Sequence, residues 1–261
     1  MAFESIDDPA DPRLAEYRDL HDAELRRARG LFAVEGRLLV ERLLTASRFR
    51  ARSVLATRGM AATLAPALGD VRTWVASHDV IRAVVGFPFH RGALALGERG
   101  DPTSLDALLG TRTLVVLEGL ADPQNVGGIM RSARAFGADG VVLGPGVADP
   151  LGRKAIRVSA GAALCLPFAC AARWPDDLGR LRGAGFTLLA LTPDARARDI
   201  RTTGGHGRVA LLLGAEGDGL SVAARSLADI ETRIATRPGV DSLNVVVAAG
   251  IALHHVHETR N

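Results

Sequence analysis

From residue 113 onward the chain alternates short, almost uninterrupted apolar runs with segments of helical periodicity, and no other feature limits its fold as strongly. The runs at 114–117, 140–143, 186–191 and 209–213 are apolar at nearly every position, so each must be a strand with both faces buried. Strands of that kind separated by helices form a parallel sheet between helical layers, which places the chain in the α/β class. On such sheets ligands bind beyond the carboxyl ends of the strands, so the loops after these runs are where chemistry is sought.

The first hundred residues carry a second, looser alternation. Helical spacing runs through Leu14, Tyr17, Leu20 and Leu25, followed by a strand at 31–34 and a helix at 38–44. Further short elements are expected at 53–56, 61–68, 73–75, 79–85 and 93–96. A polar stretch with Gly and Pro at 97–104 closes this small α/β unit and leads to a short helix at 104–109 that Ser104 can cap. The expected division is a first domain at 1–98, a linker at 99–111 and a second domain at 112–261. A chain of 261 residues with 48% hydrophobic content can supply a core to each. The absence of a fixed-period repeat or low-complexity tract excludes solenoids and disordered chains.

Composition removes several functional classes. Cys165 and Cys170 are the only cysteines, too few for a disulfide framework or a cysteine zinc site. His254, His255 and His257 crowd one helix end, but neighbours on a single helix do not converge on an ion; they read as cations at a helix C-terminus, and no metal is expected. Residues 1–11 are acidic without an apolar core, and the apolar stretch at 245–253 is too short to span a bilayer, so a cytoplasmic protein without a membrane partner is expected. Net charge is only +3, yet Lys154 is the one lysine among 32 basic residues. Arginine richness suits phosphate partners, and GC-rich coding produces the same bias; composition does not choose between them.

Three segments stand where the chemistry should be. The first, 118–136, passes from strand through a Pro and Gly turn into a helix; Asn125 can cap it, Gly127 admits a close backbone approach, and Arg131 projects from the second turn toward the strand ends. The second, 211–221, is a buried strand ending in a turn with Gly214, Gly217, Gly219 and the acidic Glu216, whose exposed backbone groups can read a nucleoside. Its spacing is not the dinucleotide fingerprint, and no phosphate-loop lysine follows, which argues against a nucleotide-cofactor oxidoreductase. The third, 234–255, reads as a strand, a Pro-Gly turn and a helix apolar almost all round, capped by Asp241 or Ser242, with Ser242 and Asn244 at its buried mouth. Taken singly, each segment is also explained by capping and core packing.

In order and spacing, however, the three resemble the signature motifs of the SpoU (TrmH-like) family of RNA 2′-O-ribose methyltransferases in the SPOUT superfamily. The matching residues are Asn125-x-Gly127-x-x-x-Arg131, then Gly214-x-Glu216-Gly217-x-Gly219-Leu220, then Ser242-Leu243-Asn244-Val245. Arg157-Val-Ser159-Ala-Gly161-Ala also resembles the family's intervening segment. The stretches at 32–37 and 90–93 are similar to those of members with a small L30e-like RNA-binding domain. Two departures are visible: Ile234-Ala235-Thr236 stands where many members have Ile-Pro-Met, and Val246 where many have Ser.

The resemblance implies a trefoil-knotted methyltransferase domain behind an L30e-like domain, a homodimer, and S-adenosylmethionine as cofactor. By position it assigns Gly214, Ile234 and Leu243 to the cofactor, with Leu191 and Thr192 beside them. Arg131, Asn125, Glu216, Ser242 and Asn244 are implied as catalytic. RNA, with 23S rRNA favoured over tRNA and DNA excluded, would be held by arginines of the first domain. The candidates are Arg26, Arg37 and Arg50, joined by Lys154 and Arg157. Aromatic content of 4% leaves little base-stacking surface, so shape and backbone recognition are expected. A non-catalytic RNA-binding protein on the same fold and a base-directed methyltransferase remain as alternatives; the complete motif set argues against the first.

Overall fold

The computed structural model describes residues 3–18, 20, 27–86, 89–237, 239 and 242–259. They form two compact units, Met1–Asp101 with Leu151–Cys165, and Pro102–Pro150 with Leu166–Asn261.

In the first unit, strands β1 (Glu4–Ser5), β2 (Leu31–Glu35), β3 (Ala51–Ala56), β4 (Thr73–Val75) and β5 (Ala93–Glu98) make a mixed sheet in the order β1-β4-β3-β5-β2. β5 runs antiparallel to both its neighbours, and the remaining pairs are parallel. Helices α1 (Arg37–Thr45), α2 (Arg58–Leu68) and α3 (His78–Val85) connect the strands. Ser77 Oγ caps α3 by accepting from Val80 N at 3.2 Å, and Gly86 closes it in the left-handed region. The core gathers Leu14, Tyr17, Leu55, Trp74, Ile81 and Leu94. Tyr17 brings a hydroxyl into that core and shares a 2.8 Å hydrogen bond with Ser53 Oγ, as a buried phenol requires. The helix expected through Leu14 and Tyr17 is a 3-10 turn, Pro12–Tyr17, started by Asp11, whose carboxylate accepts from Arg13 N. Leu25 and Arg26 lie outside the described residues.

The second unit holds β6 (Thr113–Leu117), α4 (Pro123–Ala135) and β7 (Gly140–Leu143), after which the chain contributes α5 (Arg153–Val158) to the first unit. It continues as β8 (Phe168–Cys170), α6 (Asp176–Gly183), β9 (Thr187–Leu191), β10 (Arg198–Asp199), β11 (Val209–Leu213), α7 (Val222–Leu227), β12 (Ile230–Arg233) and α8 (Val245–Glu258). The strand order is β10-β12-β9-β11-β6-β7-β8, and every pairing is parallel. Leu114, Val116, Leu188, Leu212, Leu178 and Phe186 belong to one buried cluster, as strands covered by helices demand.

Several expectations need correction. The segment Leu151–Cys165 does not continue the second domain but packs into the first unit. Arg153 Nη2 pairs with Glu35 Oε2 at 3.0 Å, Arg42 donates to Ala160 O, and Leu164 O accepts from Arg48 N and Ser47 Oγ. Gly161, at φ 78°, meets Arg42 so closely that a Cβ would sit 2.8 Å from its Cδ. The helix expected at 104–109 is a 3-10 turn, Asp106–Leu108, with Ser104 Oγ accepting from Ala107 N. The strand of the third segment lies before Ile234, at β12, because Ile230–Arg233 alone finds parallel partners on β9 and β10. The apolar α8 is expected to be buried in the core or in a subunit interface, and within one chain it is partly buried. Val245, Ala249, Ala252, Leu253 and Val256 are buried, while Val247 and Ile251, one turn apart, are 51% and 41% exposed.

Candidate active site

The carboxyl ends of β9, β11 and β12 open into a cavity of about 570 Å³. Leu191 and Thr192 close β9, and Thr192 N crosses to Thr232 O at 2.9 Å, fixing that wall against β12. Gly214 follows β11, Ile234 follows β12, and Leu243 precedes α8; all five residues assigned by resemblance to the cofactor line this one space.

The glycine turn after β11 is held by itself. Ala215 and Gly219 exchange both backbone hydrogen bonds at 3.0 Å, with Gly217 at φ 89° and Gly219 at φ 70°. A Cβ on Gly214 would lie 2.1 Å from the Gly219 carbonyl carbon, so only glycine fits there. Part of the backbone expected to face a ligand is therefore used within the turn. Beneath it, buried Glu118 at the end of β6 accepts from Trp174 Nε1 at 2.6 Å and from Ser221 N at 2.9 Å. Ser221 in turn caps α7 through Ala224 N. Sequence reading passed over Glu118 as an anchor, although an acid directly after an all-apolar strand was the available signal.

Glu216, Ser242 and Asn244 also line the cavity, and Asn244 Nδ2 donates to Glu216 Oε1 at 3.1 Å. Asn244 Oδ1 accepts from Val246 N at 2.9 Å, so Asn244, not Ser242 or Asp241, caps α8; Asp241 lies outside the described residues. The helix mouth is exposed at Ser242 and Asn244 rather than buried. At the rim, Asp194 follows the cavity residue Pro193. The side chain and then the backbone N–H of Arg196 hold its carboxyl well below the usual carboxylate range, so it stays ionised.

The first motif is arranged differently from expectation. Asp122, not Asn125, caps α4 by accepting from Gln124 N at 2.9 Å; Asn125 sits buried in the first turn. The close approach falls at Gly128, where a Cβ would lie 2.6 Å from Val246 Cγ1, and this lets α4 pack on α8. Arg131 is exposed on α4 and, like Asn125, does not line the cavity of its own chain. The structure thus unites three of the five residues implied as catalytic.

A sequence profile described as the SpoU rRNA Methylase family matches residues 112–254, more than half of the chain. The protein belongs to the SpoU family. An uncharacterized tRNA/rRNA methyltransferase of Mycobacterium bovis is 42% identical over 97% of this chain and 91% of its own length. The 23S rRNA (guanosine-2′-O-)-methyltransferase RlmB of Ralstonia nicotianae is 31% identical over 73% of this chain and 78% of its own. The crystal structure of an AdoMet-bound rRNA methyltransferase from Sinorhizobium meliloti superposes with a TM-score of 0.82 at 26% identity, covering 97% of both chains. The parallel-sheet fold expected from the resemblance is the fold of this SpoU chain.

Of the residues expected to meet RNA, Arg37 pairs with Glu41 across one turn at 3.3 Å and Arg50 lies 3.9 Å from Glu98, both on exposed surface. Lys154 and Arg157, exposed on α5, line a second cavity, of about 240 Å³, within the first unit. Arg26 is outside the described residues. At the end of α8, His255 Nε2 hydrogen-bonds Thr203 O at 3.0 Å, and His254 stands edge-on to Phe136.

Proposed function

We propose that this SpoU chain moves the methyl group of S-adenosylmethionine to the 2′-hydroxyl of a ribose in structured RNA, with 23S rRNA as the substrate. The observation that carries this reading is the Asn244 to Glu216 hydrogen bond at the mouth of the 570 Å³ cavity. It sets a polar, acceptor-bearing rim beside an apolar space. The residues suit the cofactor: Leu213, Ile234, Leu243 and Val245 give apolar walls that would take a base and a thioether, and Glu216 brings a carboxylate to the cavity that would favour a positively charged ligand.

When bound, the cofactor supplies an electrophilic methyl with a neutral thioether as its leaving group. Gly214, Ile234 and Leu243 would hold it, with Leu191 and Thr192 lining the same space. What remains for the protein is to align the acceptor oxygen and stabilise it as its proton leaves. Arginine does not deprotonate in ordinary surroundings, so Arg131 acts as a cation: it holds the target phosphate and stabilises the developing alkoxide, while the proton passes to phosphate or water. Asn125, Glu216, Ser242 and Asn244 orient Arg131 and the nucleotide.

Since Arg131 does not line its own chain's cavity, a homodimer is part of the proposal. The exposed apolar pair Val247 and Ile251 on α8, which packs on the Arg131-bearing α4, is the face offered to the second copy. The first unit is assigned the L30e-like, RNA-reading role, and the C-terminal segment the threading that makes a trefoil knot.

The test is methyl transfer from labelled S-adenosylmethionine to 23S rRNA and to bulk tRNA, with nucleoside analysis of each. A 2′-O-methylnucleoside in 23S rRNA is the expected product. The same product in tRNA alone transfers the substrate assignment, a base-methylated nucleoside overturns the ribose assignment, and no transfer despite cofactor binding overturns the enzymatic reading.

A further inference from the structure

Among the described residues, Glu216 is the one charged side chain lining the 570 Å³ cavity, and no lysine, arginine or histidine lines it. The segments that build it, 191–194, 213–221, 234–236 and 242–248, add Asp194 and Asp218 and not one cation. In a chain with 32 basic residues against 29 acidic ones, that is a local reversal of charge. Arg196 pairs with Asp194 at 2.7 Å, whereas Glu216 is met by the neutral amide of Asn244.

A further carboxylate lies behind the same turn. Buried Glu118 accepts at both oxygens, from Trp174 Nε1 at 2.6 Å and from Ser221 N at 2.9 Å. That is the pattern of an ionised carboxylate, and both donors are neutral. Its backbone N–H donates to Leu213 O at 3.0 Å, so residue 118 grips the glycine turn at both ends, Leu213 and Ser221. A buried charge without a counterion acts over a longer range than a solvated one, because the medium around it screens less. The Arg131 of a second copy, which the dimer reading brings to this cavity, sets one positive charge against these negative ones.

We infer that Glu118 and Glu216 make this cavity select its ligand by charge, so that the cationic methyl donor is held and the neutral product is released. The inference rests on the assignment of the cavity to S-adenosylmethionine and adds a specificity role for Glu118, which lies outside the motif residues. S-adenosylmethionine carries a sulfonium, an ammonium and a carboxylate, and so one net positive charge. In the transfer the S–CH3 bond breaks, the O–CH3 bond forms and the hydroxyl proton departs, so the product S-adenosylhomocysteine is neutral overall. The two molecules differ by one methyl group and one charge. Apolar walls and the glycine turn therefore hold both nearly alike, and a negative potential is what separates them.

That likeness gives the test its control, because a loss of shape weakens both ligands and a loss of charge changes their ratio. Full-length wild type, Glu216→Gln, Glu118→Gln, Trp174→Phe and Gly214→Ala are titrated calorimetrically, without RNA, with S-adenosylmethionine, S-adenosylhomocysteine and sinefungin. In sinefungin an amine-bearing carbon replaces the methylated sulfur, so it is a second cationic ligand. Wild type should prefer both cationic ligands to S-adenosylhomocysteine by about fivefold or more, and each Glu→Gln change should reduce that preference by about threefold. Added salt should reduce it too. Trp174→Phe removes a donor but keeps the Glu118 charge, and Gly214→Ala distorts the turn; both should weaken all three ligands together and leave the preference as it was. A preference unchanged in Glu216→Gln and in Glu118→Gln, while Gly214→Ala weakens binding, overturns the selection by charge and leaves the cavity with the cofactor. If Glu118→Gln does not fold, an unchanged preference in Glu216→Gln, on the exposed turn, overturns it by itself. Affinities unaltered in Gly214→Ala and in both Glu→Gln variants overturn the cavity assignment as well.

Discussion

Asn244 holds two elements at once: its Nδ2 donates to Glu216 Oε1 at 3.1 Å, and its Oδ1 accepts from Val246 N at 2.9 Å. One amide therefore ties the glycine turn after β11 to the first turn of α8, across the mouth of the larger cavity. An amide is suited to this because it carries a donor on one atom and an acceptor on another, whereas an ionised carboxylate only accepts.

Replacing Asn244 separates its two tasks. Asn244→Asp keeps the cap and sets like charges against Glu216, whereas Asn244→Ala removes both bonds. We expect Asn244→Ala to cost about 1 kcal/mol of stability through the lost cap, and Asn244→Asp to cost less while losing methyl transfer as fully. Denaturant unfolding and single-turnover rates, measured side by side, distinguish the two; an Asn244→Asp enzyme with normal rates would remove the Glu216 contact from the mechanism.

Gly214 admits no side chain, since a Cβ would meet Gly219 backbone at 2.1 Å. Gly214→Ala must open the paired Ala215 and Gly219 bonds, and we expect S-adenosylmethionine affinity to fall by tenfold or more. Thermal stability should change far less, because the turn lies outside the buried sheet. Calorimetric titration beside a melting curve checks this, and a variant with unaltered affinity would show that the turn does not shape the cavity.

Glu118 is the anchor beneath that turn. Glu118→Ala leaves the Trp174 indole N–H and the Ser221 N–H without their acceptor, a loss of about 3 kcal/mol for two charge-assisted bonds. Glu118→Gln keeps one acceptor oxygen but turns an NH2 toward the other donor, so it should recover less than half. In a Trp74→Phe background Trp174 is the remaining tryptophan, and its emission should shift in both variants before any unfolding. Unchanged emission would place the indole outside this contact.

On the surface of α8, Ile251→Asp tests the second copy. Sedimentation should show a shift from dimer to monomer, with methyl transfer falling at least tenfold while cofactor binding persists. A variant that remains dimeric and active would assign the Val247 and Ile251 face to some other purpose.

Acid should weaken the clasp between α7 and β12. Arg225 hydrogen-bonds Glu231 through Nε at 2.8 Å, and this bond chiefly holds the Glu231 carboxyl below its ordinary value. A carboxyl depressed in the folded state contributes stability above its unfolded pKa and loses it as the pH falls through the folded one. Glu231→Gln should therefore be less stable than wild type at neutral pH and equal to it in strong acid. Both side chains are more than a third exposed, so the effect is small, and a difference that persisted at low pH would assign it to packing instead.

What could be read from the residues follows the physics of burial. β6, β7, β9 and β11 sit in the interior of the sheet, and their apolar runs marked them to within a residue or two. β10 and β8 are edges and β12 lies next to one; the mixed polarity of Ile230–Arg233 gives no periodic signal, and the strand was expected too late. Leu191, Gly214, Ile234 and Leu243 were grouped by the resemblance of the motifs and not by periodicity, which marks strand ends but gives no sign that Leu243, ahead of a helix, lines the same cavity. The direction of Arg131 was not legible, since helix phase decides which way it faces, and Gly128 rather than Gly127 turned out to set that packing. Asn244 was expected in the site but not as the cap, because Ser, Asp and Asn all stand near the helix start and sequence alone does not fix which one is at its boundary.

The chain's passage out of the second unit at Pro150 and back at Leu166 makes the border between the units a feature of space, not of gene order. Anyone exchanging first units among relatives, and any natural recombination that does so, meets the same condition. A crossover near residue 101 separates Glu35 and Arg42 from the Arg153 and Ala160 they were matched to, while a graft that carries 151–165 along with the first hundred residues keeps them together. An intact first unit in such chimeras should therefore travel as two inserts, not one.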